Sequence, residues 1–143
     1  MTCAAACELC EQPGGELVAR LERLRIVLVD DANYPGFCRV IWRDHVREMT
    51  DLSAADRTLL MDAVWAVEQA VREVMQPRKV NLASLGNVVP HLHWHVIPRY
   101  EDDAHFPAPV WAEAKRVADP ALIVERRARL PSLREALSTL FPA

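Results

Sequence analysis

The run His91-Leu92-His93-Trp94-His95-Val96-Ile97-Pro98 limits the fold more than any other stretch of the chain. Side chains alternate across a strand with a period of two. An extended backbone therefore puts His91, His93 and His95 on one face, and Leu92, Trp94 and Val96 on the other. A helix would spread the imidazoles around its axis, and the local β-branched and aromatic content speaks against one. The segment is predicted to be a half-buried strand over 91–98. Pro98 suits its end, where a missing N–H does little harm.

A strand with an apolar back needs a layer to pack on, and residues 53–75 supply one. Leu60, Val64, Val67, Val71 and Val74 recur at spacings of three and four, which makes one buried stripe on a long helix. Ser53 is its expected N-cap, Asp56 suits the positive end of its dipole, and Pro77 stops it. Further strands are expected over 16–21, 25–30, 37–42 and 79–84, with a Pro-Gly turn before the third and a loop over 85–90. The C-terminal part is punctuated by Pro98, Pro107, Pro109, Pro120 and Pro131. There, 111–118 and 121–129 are expected to be partly helical. Ser132 is the expected cap of a short last helix carrying Leu133, Leu137 and Leu140. The order β-β-β-α-β-β predicts an α+β domain with a mostly antiparallel sheet of about five strands.

With 143 residues, 51% of them hydrophobic, the chain has material for one core, and no linker divides it. The net charge of -3 and pI near 5.9 argue against long nucleic acid as a partner and leave room for a small anion in a local pocket. No apolar run approaches a membrane span, and the first residues lack the basic start and apolar stretch of a signal peptide. A cytoplasmic protein without membrane contact is expected. In that compartment the four cysteines do not form a disulfide framework, and Cys7-Glu8-Leu9-Cys10 reads as a zinc half-site, a redox pair or a coincidence.

Three readings of the histidine row compete. It is a solvated coincidence, a metal site using His-x-His, or a nucleophilic centre in which one imidazole attacks while its neighbours orient it and hold a phosphate. A straight row points its third imidazole away, so a mononuclear three-histidine site would need a bend. Imidazole suits nucleophilic work because, with a pKa near ~6.5, it is largely neutral at pH 7.

The seven residues 91–97 fill every position of His-φ-His-φ-His-φ-φ, with φ apolar, and so resemble the histidine-triad (HIT) family. The likeness runs on through Leu28-Val29-Asp30-Asp31, Tyr34-Pro35-Gly36-Phe37-Cys38-Arg39-Val40-Ile41 and Arg43-Asp44-His45-Val46. The long helix follows in order, and Gly86-Asn87 stands where the family places its phosphate loop. About residues 7–100 are covered, as a single HIT domain core with a C-terminal extension over 101–143. The resemblance implies a nucleotide hydrolase or nucleotidyl transferase acting at an α-phosphate. His93 would be the nucleophile, forming a nucleotidyl-histidine. His91 would set the tautomer of His93 through a hydrogen-bond relay, and His95 would contact a non-bridging oxygen. Gly86 and Asn87 would touch phosphate, with Asn81 as a further candidate. Asp30, or Asp31 after a one-residue shift, would accept from the ribose hydroxyls. Ile26, Leu28 and Phe37 would flank the base.

Several members carry zinc on positions matching Cys7, Cys10, His45 and His91, so the resemblance implies a structural zinc ion here, and it also implies a two-fold homodimer. The chain departs from many members at Phe37, where they have His after Pro-Gly. It departs again at Val88, where they have a Ser or Thr whose hydroxyl assists the leaving group. These departures leave phosphoramidase, dinucleoside polyphosphate hydrolase and transferase open, with residues 96–99 nearest the bacterial hydrolase-like branch. Two further readings stand beside them: a nucleotide-binding regulatory protein with little turnover, and an unrelated His-x-His metalloenzyme. His105 is expected in an exposed loop, and Glu101, Asp102 and Asp103 in a solvated turn.

Overall fold

The computed structural model describes residues 3–142. Five strands form one antiparallel sheet: β1 (Glu16–Arg20), β2 (Leu24–Leu28), β3 (Cys38–Trp42), β4 (Lys79–Ala83) and β5 (His93–Arg99), in the spatial order β1-β2-β3-β5-β4. Among the described residues, four α-helices and one turn of 3-10 helix (Met49–Asp51) accompany it, the α-helices being α1 (Glu8–Glu11), α2 (Ala54–Met75), α3 (Pro120–Arg127) and α4 (Leu130–Leu140). This is the expected α+β arrangement. No helix among the described residues is long and apolar enough to cross a membrane.

Helix α2 starts where its chemistry says it should. The Ser53 hydroxyl accepts from the Asp56 N–H at 3.1 Å, and the helix ends in left-handed Gln76 (φ 51°) ahead of Pro77. Its stripe of Leu60, Val64, Val67 and Val71 is fully buried against the sheet. Each such side chain contributes about 1.5–3 kcal/mol by leaving water. From the sheet, Leu24, Ile26, Val40, Trp42 and Val96 meet that stripe.

The opposite face of the sheet carries Arg25, Val27, Arg39, Ile41, His93, His95 and Ile97, and it is covered as well. At one end Cys7 and Leu9, around α1, pack on Val27 and Ile41. Arg25 locks that segment down by donating to the carbonyls of Leu9 (2.8 Å), Pro13 (2.9 Å) and Gln12 (3.0 Å). Gly14 lies so close that a Cβ there would meet Leu9 at 2.7 Å, and its φ of +81° favours glycine besides. At the other end, a strap over 103–116 places Val110 against Tyr34, Phe37 and Ile97.

The C-terminal part differs from expectation. Residues 111–118 form no helix, because the strap is a run of turns and bends tied back on itself, with Lys115 N–H donating to the Ala104 carbonyl at 2.7 Å. Ser132 does not cap the last helix, which begins at Leu130 with Pro131 in its first turn. Leu133 and Leu137 of α4 are fully buried in the main core, so this helix packs into the fold. The acidic turn is also not solvated throughout. Asp103 is buried, and its carboxylate meets Arg99 at 2.8 Å.

Candidate active site

The histidine row is bent. Strand β5 begins at His93, and His91 lies in the bend before it, its ring turned toward the N-terminal segment. There its Nδ1 lies 3.5 Å from the Sγ of Cys7, 3.5 Å from the Sγ of Cys10 and 3.3 Å from the Nδ1 of His45, while Cys10 Sγ lies 3.6 Å from that same His45 nitrogen. A tetrahedral ion with Zn–S about 2.3 Å and Zn–N about 2.05 Å needs S···N edges of about 3.5 Å and N···N edges of about 3.3 Å. The four ligand atoms, all within 4.8 Å of one another, therefore fit a metal ion as they stand. Two thiolates and two imidazoles form a closed set suited to structural zinc, with no coordination position left for a substrate. This disfavours a catalytic metal on His-x-His, since His93 and His95 are outside the cluster.

The other ring nitrogen of His91, Nε2, donates to the Trp42 carbonyl at 2.6 Å. Neither nitrogen of that ring is available to His93. The expected relay through the His91 side chain is corrected accordingly: His93 Nδ1 donates to the main-chain carbonyl of His91. That bond fixes the proton on Nδ1 and leaves Nε2 as the unprotonated, nucleophilic nitrogen. Burial lowers the pKa of His93, against the opposing effect of this hydrogen bond, and the positive charge of Arg39 lowers it further.

The His95 ring stands 4.8 Å from that of His93 at an interplanar angle of 83°, with Phe37 at 5.6 Å and Trp111 at 5.0 Å on its other sides. Burial, with His93 and Arg39 adding to it, pushes the His95 pKa down to about 3, so the ring is neutral at pH 7. Its Nδ1 is buried with no hydrogen-bond partner among the described residues. The Ser84 hydroxyl donates to the His93 carbonyl at 2.8 Å and ties β5 to the loop that carries Gly86 (φ +82°) and exposed Asn87.

A family model described as the HIT domain matches residues 12–102. The chain belongs to the HIT family. A histidine triad protein from Bradyrhizobium japonicum, 28% identical, superposes with a TM-score of 0.74 over 97% of this chain and 98% of that one. Two curated relatives are similar over shorter stretches. The bis(5'-nucleosyl)-tetraphosphatase [asymmetrical] of Schizosaccharomyces pombe is 32% identical over 74 residues, 48% of this chain and 41% of that protein. The AP-4-A phosphorylase of Mycobacterium tuberculosis is 30% identical over 98 residues, 64% of this chain and 50% of that one. This HIT chain thus spans about half or less of the length of the curated relatives it matches.

Several expected contacts of this HIT domain are placed elsewhere. Asn81 lies on β4, and its side-chain carbonyl accepts from Arg99 at 2.7 Å, which commits it to anchoring the end of β5. Asp30 lies beyond the end of β2, because that strand stops at Leu28. It lines a cavity of about 370 Å³ with Gly36, Arg127 and Arg134, and no triad imidazole lines that cavity. Asp31 accepts from the Asn33 N–H at 2.9 Å within its own loop. Ile26 and Leu28 belong to the helix-side core, since alternation sends them to the face away from the imidazoles. Only Phe37 of that expected trio reaches the histidine side. His105 is half-buried, its Nδ1 2.7 Å from the Tyr34 hydroxyl.

One charged residue at the site was missed from the sequence. Arg39 lies on β3 opposite His95 in the ladder, on the histidine face. The available signal was an arginine inside the otherwise apolar run Phe37-Cys38-Arg39-Val40-Ile41-Trp42, at a position whose neighbours are all core.

Proposed function

We propose that this HIT protein is a nucleotide hydrolase or nucleotidyl transferase that attacks the α-phosphorus of a nucleoside polyphosphate or phosphoramidate with His93. The observation that carries this reading is the hydrogen bond from His93 Nδ1 to the His91 carbonyl, which presents Nε2 with its lone pair beside a neutral, buried His95. Nε2 forms a bond to the phosphorus as the bond to the leaving group breaks. Water, or another acceptor in a transfer, then attacks the nucleotidyl-histidine, and His93 departs with its electron pair restored. His95 stabilises charge on a non-bridging oxygen. Gly86 and Asn87, on the loop tied to β5 through Ser84, would touch the phosphate. The names of the two curated relatives support a dinucleoside tetraphosphate among the substrates to test first. A zinc ion on Cys7, Cys10, His45 and His91 would supply rigidity to the segment that holds His93, with no part in the bond changes.

The test is quenched turnover of diadenosine tetraphosphate and of adenosine 5'-phosphoramidate, followed by mass spectrometry. An acid-labile nucleotide mass is expected on the peptide containing His93. His93→Asn should lose several orders of magnitude in kcat with little change in binding, because the lost bond exists only in the reaction. His95→Asn should cost on the order of 10²–10³. Turnover without the adduct, or a His93→Asn variant that keeps most of its rate, defeats the proposal. Tight nucleotide binding with no turnover would favour the regulatory reading instead.

A further inference from the structure

Arg25 and Arg39, on β2 and β3 of the imidazole face, are used in opposite ways. Arg25 is a fastener: its Nε and one terminal nitrogen reach three main-chain carbonyls of the N-terminal segment. Arg39 donates from one terminal nitrogen to the Gly14 carbonyl at 2.7 Å, and its Nε is buried without a hydrogen-bond partner among the described residues. No carboxylate among those residues lies within ion-pair distance of it; the carboxylate that acts on it from further off is Glu8, which is exposed. Its guanidinium sits 5.9 Å over the ring of Phe37, the same ring that stands edge-on to His95. A guanidinium offers five N–H donors in a rigid fork, and one carbonyl engages only one of them. Arg39 is half-buried with its Nε out of water, so its charge is held at the site without a counter-ion among the described residues. A purely structural tie to Gly14 would not need that charge.

The unpaired Nε of Arg39 and the unpaired Nδ1 of His95 belong to facing positions of adjacent strands, and the His95 ring stands 4.8 Å from that of His93. We propose that the missing partner is the leaving group: Arg39 pairs with an anionic phosphate chain, and the site thereby prefers substrates that expel a polyphosphate over those that expel an amine. This inference rests on the nucleotidyl-histidine reading. The chemistry of departure supports it. An amine must pick up a proton as its bond to phosphorus breaks, and the side chain of Val88, on the 84–90 loop with 92% of its surface in solvent, has none to give. A phosphate chain leaves as an anion, needs no proton, and is helped by a fixed positive charge and bidentate N–H donors.

Three measurements test this: kcat/KM for diadenosine tetraphosphate, kcat/KM for adenosine 5'-phosphoramidate, and calorimetric binding of inorganic tripolyphosphate. Each is made on wild type, Arg39→Gln and Arg39→Lys. Arg39→Gln should lose about 100-fold or more on the tetraphosphate and less than about tenfold on the phosphoramidate. It should weaken tripolyphosphate binding by at least about tenfold, while Arg39→Lys, which keeps the charge but loses the fork, should lose less on both. Equal losses on the two substrates, or unchanged tripolyphosphate binding in folded Arg39→Gln, overturn the proposal and leave the role of His93 standing. If Arg39→Gln does not fold, Arg39→Lys decides: a larger loss on the tetraphosphate than on the phosphoramidate supports the proposal, and equal losses or none in a folded protein overturn it. If wild type cleaves neither substrate, the nucleotidyl-histidine reading falls, and tripolyphosphate binding alone judges Arg39.

Discussion

At His91, two ring nitrogens and the main-chain carbonyl each have a different partner: the metal cluster, Trp42 and His93. The residue therefore acts on the neighbouring imidazole through its backbone while its side chain serves as an anchor. Cys10→Ser removes one thiolate from the cluster and should release about one equivalent of zinc from purified protein, with a lower melting temperature. Turnover should fall by about 10–100-fold, the usual effect of loosening a supporting shell, and by far less than in His93→Asn. Elemental analysis, thermal melts and steady-state rates on the same samples check this. A folded, metal-free protein with no turnover would instead make the ion part of the chemistry. The four ligands were legible only through the family resemblance, since Cys7-Glu8-Leu9-Cys10 by itself left a zinc half-site, a redox pair and a coincidence open. The division of labour within His91 was not, because it depends on a bend between residues 91 and 93 that alternation alone would have straightened.

Among the elements, the junction of β5 with the strap depends most on one pair. Arg99 and Asp103 have 2% and 1% of their side chains exposed, and the carboxylate also accepts from the N–H groups of Tyr100, His105 and Phe106. Burial alone would raise the pKa of Asp103, but Arg99 and those N–H groups outweigh it and hold the group at about 2, below its ordinary 3.8. A carboxyl depressed in the folded state contributes stability that is present above pH 3.8 and is lost as pH falls toward 2. Asp103→Asn leaves the guanidinium buried without its counter-charge and should cost about 3–5 kcal/mol near neutral pH. Denaturant unfolding at a series of pH values should show the variant and wild type converging as the pH drops through that window. A constant difference down to pH 2 would contradict the assignment. Helix α2 could be read from the sequence because its cap, stripe and stop all agree. The acidic run at 101–103 could not, because adjacent carboxylates look alike until the fold selects one. Asp103 turns in to Arg99, while Asp102 stays half exposed beside Arg126.

Across the molecule, the sheet is covered twice, by α2 and α4 on one face and by the α1 segment and the strap on the other. This explains why β2 reads as continuous apolar sequence broken only by Arg25, and why periodicity could not say which face Ile26 and Leu28 would take. Helix α2 still shows Leu59 and Trp65 to solvent at 43% and 56% exposure, and β4 is a free edge of the sheet. A homodimer using that helix face and edge is expected, with light scattering at micromolar concentration giving twice the 16.2 kDa of one chain. A mass of one chain would refute it.

The metal cluster joins residues 7, 10, 45 and 91, points that lie far apart along the chain. Its influence on His93 passes through a single peptide carbonyl, and that carbonyl also determines which of the two ring nitrogens bears hydrogen. Releasing the N-terminal segment leaves the His91 ring held only by its Nε2 bond to the Trp42 carbonyl, and the loosened residue lets its own carbonyl shift away from His93. The imidazole can then exchange its proton between Nδ1 and Nε2. The tautomer ratio of one histidine, read from its nitrogen chemical shifts, is thereby a gauge of whether a segment more than eighty residues upstream is docked.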